Sequence, residues 1–303
     1  MDASLARPRE IEPGPDPCEP ETSLDAPFEI LPPLGPSSPV LFASPHSGRI
    51  YPPGMMARSR LGAQAIRRSE DVFVDQLIAA APAFGIGVIH ARLARVYFDV
   101  NREPWELDPA MFSDALPPYA LAGSARVAAG LGAIARIVAE GQEVYAGKLT
   151  FAEAAARVEA VHQPYHAALA ELIAARRADH GLAILVDWHS MPSAAATRAI
   201  GGACDIVLGD RFGGACAPKV ARTVERALTG LGYAVARNAP YAGGYTTEHY
   251  GSPARGVHAL QIEVNRALYV DEESLAPTEG FARLRGDLER LFAIFAETDW
   301  SGL

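Results

Sequence analysis

Apolar residues along this chain gather into short runs of strand length that stop abruptly at histidine, carboxylate or arginine. The clearest is 182–186, LAILV, followed by Asp187, Trp188, His189 and Ser190. A run without polar alternation predicts a strand covered by helices on both faces. Open α/β sheets place their ligand crevices beyond the carboxyl ends of such strands, where these polar residues are expected to emerge. Residues 40–43 repeat the design and lead into Ser44, Pro45, His46, Ser47 and Gly48. Further strands are predicted over 87–91, 95–100, 204–208, 233–237 and 257–264. Of these, 95–100 delivers Asn101 and Arg102, and 257–264 ends at Asn265 and Arg266.

Helical patterns lie between the strands. Ser69 is placed to cap a helix running to Ala83, with Glu70 and Asp71 in the first turn, where the macrodipole favours acids. From about 124 to 178 the pattern is helical and alanine-rich, and Thr150-Phe-Ala-Glu153 reads as a capping box. Pro164 must kink or divide the helix opened there. Helices over 217–231 and 281–295 follow. Residues 104–118 form a loop dense in aromatics and prolines, suited to a lid or rim. Residues 238–250, NAPYAGGYTTEHY, read as a glycine-rich polar loop. Strands alternating with helices predict one α/β/α three-layer domain over 39–303 with a mainly parallel sheet. Residues 1–38, rich in proline and acid, read as an arm, either loose or laid over the domain as a strap.

Composition narrows the class. At 303 residues and 49% hydrophobic, the chain can bury a sizeable core. The net charge is −9 and no basic block interrupts it, so nothing recommends a nucleic-acid partner. Cys18, Cys204 and Cys216 form neither a CxxC pair nor an even disulfide framework, which points to a reducing compartment. The N-terminus has no apolar core and no apolar stretch reaches membrane-spanning length. The expectation is a soluble cytoplasmic protein.

Five stretches set metal-ligating groups or a guanidinium beside strand ends: SPHSG, SEDVFVD, VNRE, DWHS and QIEVNR. A catalytic zinc needs three protein nitrogen or oxygen ligands and one open position. His46 and His189 are the nitrogen donors. Glu70, Asp71 and Asp75 compete for the third place. Asp71 and Asp75, four apart on a helix, would share a face, with Asp71 the preferred ligand and Asp75 or Asp187 in support. Ordinary helix-start charge accounts for the same acids. Glu263, in an apolar strand, is costly to bury unless paired or functional; it is either a general base or half of an ion pair with an arginine. Arg102 either clamps a substrate carboxylate or pairs with Glu103 or Asp108. His162 and His166 lie four apart, but Pro164 disturbs their spacing and no HExxH acid accompanies them, so they read as a packed or surface pair. His90, His180 and His258 read as structural or solvent-facing. No GxSxG elbow surrounds Ser190.

Together SPHSG, the acidic stretch with Val74-Asp75, DVNR, DWHS, GGYTTEHYG and QIEVNR resemble the N-formylglutamate amidohydrolase family over about 40–293. The resemblance implies a zinc-carboxypeptidase-like α/β/α fold around a mixed sheet. It puts His46, Asp71 and His189 at the metal positions, with Glu70 the alternative acid. Glu263 falls at the general-base position and Arg102 at a substrate-binding one. The loop 243–251 resembles the family's substrate loop, with Gly244, Tyr245, Thr246 and His249 as candidate contacts beside Asn101. Zinc carboxypeptidases carry a glutamate three residues after the first histidine; here Arg49 stands there, so the acidic ligand must come from the Glu70–Asp71 pair. Glu248 stands where formylglutamate enzymes have a basic residue, and its charge would disfavour an acidic substrate if it faced the pocket.

The implied activity is zinc-dependent hydrolysis of an N-acyl, by preference N-formyl, amino acid such as N-formylglutamate. A two-histidine, one-carboxylate site also suits other divalent first-row metals. Two alternatives stand beside it. One is a metallopeptidase or amidase on a larger acylated substrate, favoured by an open pocket around Trp105 to Tyr119. The other is a non-catalytic ligand-binding relative.

Overall fold

The computed structural model describes residues 26–138, 141–200 and 204–303. Residues 1–25 of the arm, Cys18 among them, lie outside the described residues. Seven strands form the central sheet: β1 (Phe28–Leu31), β2 (Val40–Ser44), β3 (Gly87–Ala91), β4 (Ala183–Met191), β5 (Ile206–Gly209), β6 (Val235–Arg237) and β7 (Val257–Asn265). Their order is β1-β3-β2-β4-β7-β5-β6. β3, β2, β4 and β7 run parallel, β1 is antiparallel at one edge, and β5 joins β7 antiparallel with β6 parallel beyond it. The sheet is mixed and mainly parallel, as the alternation of elements predicts.

Side-chain alternation divides the core in two. On one face Val40, Phe42, Ile184, Val186, Trp188, Leu260 and Ile262 pack with three helices, α1 (Val74–Leu77), α5 (Pro218–Gly230) and α7 (Gly280–Glu297). On the other, Leu41, Ala43, Leu185 and Ala259 meet the helical stretch formed by α3 (Phe151–Arg157) and α4 (Gln163–His180). Helices therefore cover both faces, which is why the central strands lack polar alternation. On the second face the apolar residues give way along the strands. Asp187 and His189 follow Leu185 at period two, and Gln261 and Glu263 follow Ala259.

Several expected elements are corrected. β4 does not stop at Val186 but continues through Met191, because Asp187 to Met191 pair in register with Gln261 to Asn265 of β7. Residues 95–100 are not a strand. They turn, with Tyr97 N donating to Ala94 O at 2.9 Å, and the alternation of Val96, Phe98 and Val100 reflects burial in the second core rather than a ladder. The helix expected from Ser69 to Ala83 is broken. Ser69 closes a short 3-10 turn and its Oγ donates back to Ile66 O, Phe73 adopts φ 61°, and only Val74–Leu77 is α-helical. The stretch 124–178 begins with a single turn, α2 (Ala125–Ala128), and contains a small hairpin before α3. The capping box of Thr150 and Glu153 is present, and a π-helical stretch, Val158–His162, precedes Pro164, which sits in the first turn of α4. The polar loop folds in its second half as α6 (Tyr245–Tyr250). Phe28–Leu31 of the arm adds β1 to the sheet edge as a strap.

Candidate active site

The pocket forms where β2, β4 and β7 run out on the second face. His46 follows β2 by two residues, and its carbonyl accepts from Asp71 N at 3.0 Å, which draws the bent segment before α1 against it. Asp71 thus enters the site from that bend, not from a helix face. His46 Nδ1 and His189 Nδ1 lie 3.0 Å apart. Asp71 Oδ2 lies 3.1 Å from His189 Nδ1 and 3.4 Å from His46 Nδ1. All three residues are buried.

The far sides of both rings are held by carboxylates. His46 Nε2 donates to Asp99 Oδ1 at 2.7 Å, and His189 Nε2 to Asp187 Oδ2 at 2.9 Å. A proton held on Nε2 leaves the Nδ1 lone pair facing the centre. Two lone pairs and a carboxylate oxygen converging at this spacing repel one another unless a proton or a metal cation lies between them. Tetrahedral bonds of about 2.0–2.1 Å separate ligand atoms by about 3.3 Å, which this triangle matches. The donor set therefore fits a divalent ion, and it is the one such grouping of three among the described residues.

The surroundings concentrate negative charge. Burial drags His189 down, yet Asp187, Asp71 and Glu263 outweigh it and lift the ring well above its ordinary range. Burial pulls Asp71 up, but its contacts with His189 and His46 hold it well below the usual carboxylate range. Asp99 is likewise pulled up by burial and held low by Arg95 and His46; Arg95 Nη2 donates to it at 2.6 Å. Asp99 was missed at the sequence level. The DVNR motif contains it, but a predicted strand there hid its turn toward His46.

Glu263 sits beside His189 in the β4–β7 register and is buried. Burial, with Asp71 adding repulsion and His189 opposing, pushes it up to about 7. Its Oε1 accepts from Gln261 Nε2 at 2.8 Å. Arg266 is not its partner, which removes the ion-pair reading with that residue. That guanidinium donates to Ser190 Oγ at 3.0 Å, Glu70 O at 2.6 Å and Asp71 Oδ1 at 3.2 Å, fixing the aspartate. Ser190 Oγ in turn donates to Asp71 Oδ1 at 3.2 Å.

The other candidates fall as follows. Glu70 is turned to Tyr51 and Arg67 and Asp75 to Arg49, so neither acid joins the His–Asp–His group. Asp187 takes the supporting place beneath His189. Asn101 is buried; its Nδ2 donates to Asp187 Oδ2 at 3.3 Å and lies 3.1 Å from His189 Nε2, while its Oδ1 accepts from Thr246 N at 2.7 Å. Gly244 N donates to Gln261 Oε1 at 2.7 Å, and a Cβ on Gly244 would fall 2.7 Å from Asn101 Nδ2. Two side-chain amides thus clip the glycine loop to the histidine on one side and to Glu263 on the other. Arg102 lines the cavity, its Nε donating to Leu131 O at 3.1 Å and its Nη1 to Asn101 O at 3.0 Å.

The cavity has a volume of about 690 Å³ and reaches His46, Asp71, His189, Glu263, Arg102 and Gly244. Tyr245, Thr246 and His249 are not among its lining residues: Thr246 is buried behind it, and His249 is exposed, stacked on Tyr245 at 5.0 Å. Glu248 is exposed too and pairs with Arg211 at 3.0 Å, so its charge does not face the pocket. Trp105, Tyr119 and Phe151 pack on one another away from the cavity. His162 and His166 form a packed pair, their ring centroids 4.2 Å apart. His90 lies near Glu29, and His180 bonds Ser37. Cys204 and Cys216 are buried free thiols. No helix among the described residues is long and apolar enough to cross a membrane.

Fold and pocket together define a class: an α/β protein with a buried two-histidine, one-carboxylate donor set beside a buried glutamate at the carboxyl ends of parallel strands. Comparison with known proteins then narrows the class to a family. The profile of the N-formylglutamate amidohydrolase family matches residues 38–270, and the chain belongs to that family, as its motifs imply. An N-formylglutamate deformylase from Pseudomonas aeruginosa is 30% identical over 239 residues, covering 78% of this chain and 84% of the relative. The crystal structure of an N-formylglutamate amidohydrolase from Ralstonia eutropha JMP134 superposes with a TM-score of 0.85 at 37% identity, covering 90% of this chain and 98% of that one. A protein from Agrobacterium tumefaciens, Atu2144, shares the fold at a TM-score of 0.60 and 18% identity over 88% of this chain and 92% of its own.

Proposed function

We propose that this chain is a metal-dependent amidohydrolase, with zinc the first choice of metal, that removes the formyl group from an N-formyl amino acid such as N-formylglutamate. The observation that carries the proposal is the triangle of His46 Nδ1, His189 Nδ1 and Asp71 Oδ2, each imidazole backed by a carboxylate, with Glu263 adjacent. The activity borne in the relatives' names, deformylase in the Pseudomonas aeruginosa protein and amidohydrolase in the Ralstonia one, supports the substrate class.

A metal at this position supplies Lewis acidity, polarising a carbonyl oxygen and lowering the pKa of water toward neutrality. The remaining work belongs to the chain's own side chains. Gln261 fixes Glu263 Oε1, which leaves Oε2 to take a proton from the attacking water and return it to the departing amine nitrogen. The water oxygen bonds to the formyl carbon, the carbon–nitrogen bond breaks, and formate and the free amino acid leave. Arg102, steadied by two backbone carbonyls, keeps Nη2 for a substrate carboxylate.

The test is metal content and deformylase turnover measured on the same samples of wild type and Glu263→Gln. The expected result is about one metal per chain in both proteins. Turnover in the variant should fall by about 10²–10⁴-fold, the usual worth of a general acid–base group. Metal loss in the variant would remove Glu263 from the base role, and wild-type turnover that ignores a chelator would end the metal mechanism.

A further inference from the structure

Four of the arginines around the cavity are Arg95, Arg102, Arg126 and Arg266, and their partners set one apart. Arg95 is bound to Asp99, Arg102 to two carbonyls with Asp99 4.0 Å away, and Arg266 to Asp71, Ser190 and backbone. Arg126 makes no hydrogen bond with a described residue. Its nearest carboxylate oxygen, Glu106 Oε2, is 3.8 Å from Nη1, beyond hydrogen-bond distance. Its side chain is 40% exposed, and the cavity it lines also includes the apolar Leu131, Ala135, Ile137 and Val138.

The backbone beneath Arg126 is nonetheless fixed. Ser124 caps α2 by accepting from Val127 N at 3.0 Å, and the same hydroxyl donates to Glu106 Oε1. Glu106 is buried, and its Oε2 has no hydrogen-bond partner. Arg126 therefore stands on an anchored turn, held only by the long ion pair to Glu106, and close enough to Arg102 for the two positive charges to oppose each other. Asp99, 4.0 Å from Arg102, and Glu106, 3.8 Å from Arg126, offset part of that repulsion, and a ligand carrying two negative charges would offset more.

We infer that Arg126 is a specificity-determining residue that takes the side-chain carboxylate of an acidic substrate while Arg102 takes the α-carboxylate. This rests on the amidohydrolase reading above and adds what that reading lacks, a reason to prefer an acidic over a neutral side chain. N-formylglutamine, the same shape without the second charge, leaves the Arg126 guanidinium with only its long ion pair to Glu106.

The experiment compares wild-type, Arg126→Met and Arg126→Lys holoenzymes on N-formyl-L-glutamate and N-formyl-L-glutamine. In Arg126→Met, KM for the glutamate compound should rise about 10- to 100-fold, the worth of a charge-assisted hydrogen bond, with kcat nearly unchanged. KM for the glutamine compound should stay within about threefold, and Arg126→Lys should recover part of the preference. Binding by calorimetry in a Glu263→Gln background separates the two readings. A glutamate-over-glutamine preference in Kd that Arg126→Met removes supports the subsite even if wild type hydrolyses neither compound, an outcome that sinks only the amidohydrolase reading. Equal losses on both compounds, or a preference that survives Arg126→Met, overturn the subsite.

Discussion

The protein packs two pairs of histidines into its interior, His166 half-buried, and their surroundings are opposite. His46 and His189 have ring centroids 4.7 Å apart, His162 and His166 4.2 Å apart. Proximity alone does not separate them. Their partners do: the first pair is backed by Asp99 and Asp187 and faces Asp71. The second pair is satisfied by neutral groups, His162 by Arg102 O at 3.1 Å and His166 by Val100 O at 2.7 Å and Tyr250 OH at 2.8 Å. Burial then dominates in the second pair, pushing His162 down to about 4 and His166 down to about 3, whereas carboxylates lift His189. On the proposed reading, it is the acids around them that make two histidines a metal site.

One strip of chain joins the pairs. Asp99 holds His46, Val100 O holds His166, Asn101 lies against His189 and Asp187, and Arg102 O holds His162. The packed pair thus fixes the backbone from which the reactive pair is oriented. The sharpest way to break the comparison is to delete one ring from each. His189→Ala should lower metal content from about one per chain to near none and abolish turnover, because a ligand is lost. His162→Ala should keep its metal. Metal loss in both variants, read by elemental analysis on folded samples, would erase the distinction.

A smaller effect should come from the carboxylate behind His46. Asp99→Asn keeps the side chain's shape but weakens the acceptor that orients the ring. Metal affinity or activity should drop about 10- to 100-fold, as is usual for such supporting groups. Competition with a chelator of known affinity measures it; an unchanged affinity would show that Asp99 serves Arg95 and the Asn101 backbone rather than the His46 ring.

What the sequence made legible follows the same division. β2, β4 and β7 were visible because residues buried on both faces need no polar alternation, and His46, His189 and Glu263 were visible because they interrupt those runs. Asp71 was reached as a candidate ligand through the wrong local structure. Its acid-rich stretch resembles a helix start, yet Arg266 and the backbone bond to His46 hold it in a bend that no local pattern encodes. Asp99 reaches His46 and Gln261 reaches Gly244 only through contacts between segments apart in sequence, so their polarity was ordinary until the fold was known. The glycine loop was found, but its contacts were misplaced. α6 turns His249 outward, and the cavity is reached through Gly244.

The packed pair makes its own, smaller prediction, in stability and not in chemistry. His162 and His166 are neutral in the folded protein down to about pH 4 and 3. In the unfolded chain they protonate near pH 6.5. As pH falls through that window the unfolded state binds protons that the folded state does not, so stability declines; above it neither state is charged and the effect vanishes. The expected loss between pH 7.5 and 5 is about 2 kcal/mol per histidine. His166→Gln keeps hydrogen-bonding groups near Val100 and Tyr250 but cannot titrate. Urea unfolding at the two pH values should therefore show a stability loss about 2 kcal/mol smaller in the variant than in wild type. Equal losses would mean that His166 is protonated in the fold as readily as outside it, and the two pairs would differ less than their partners imply.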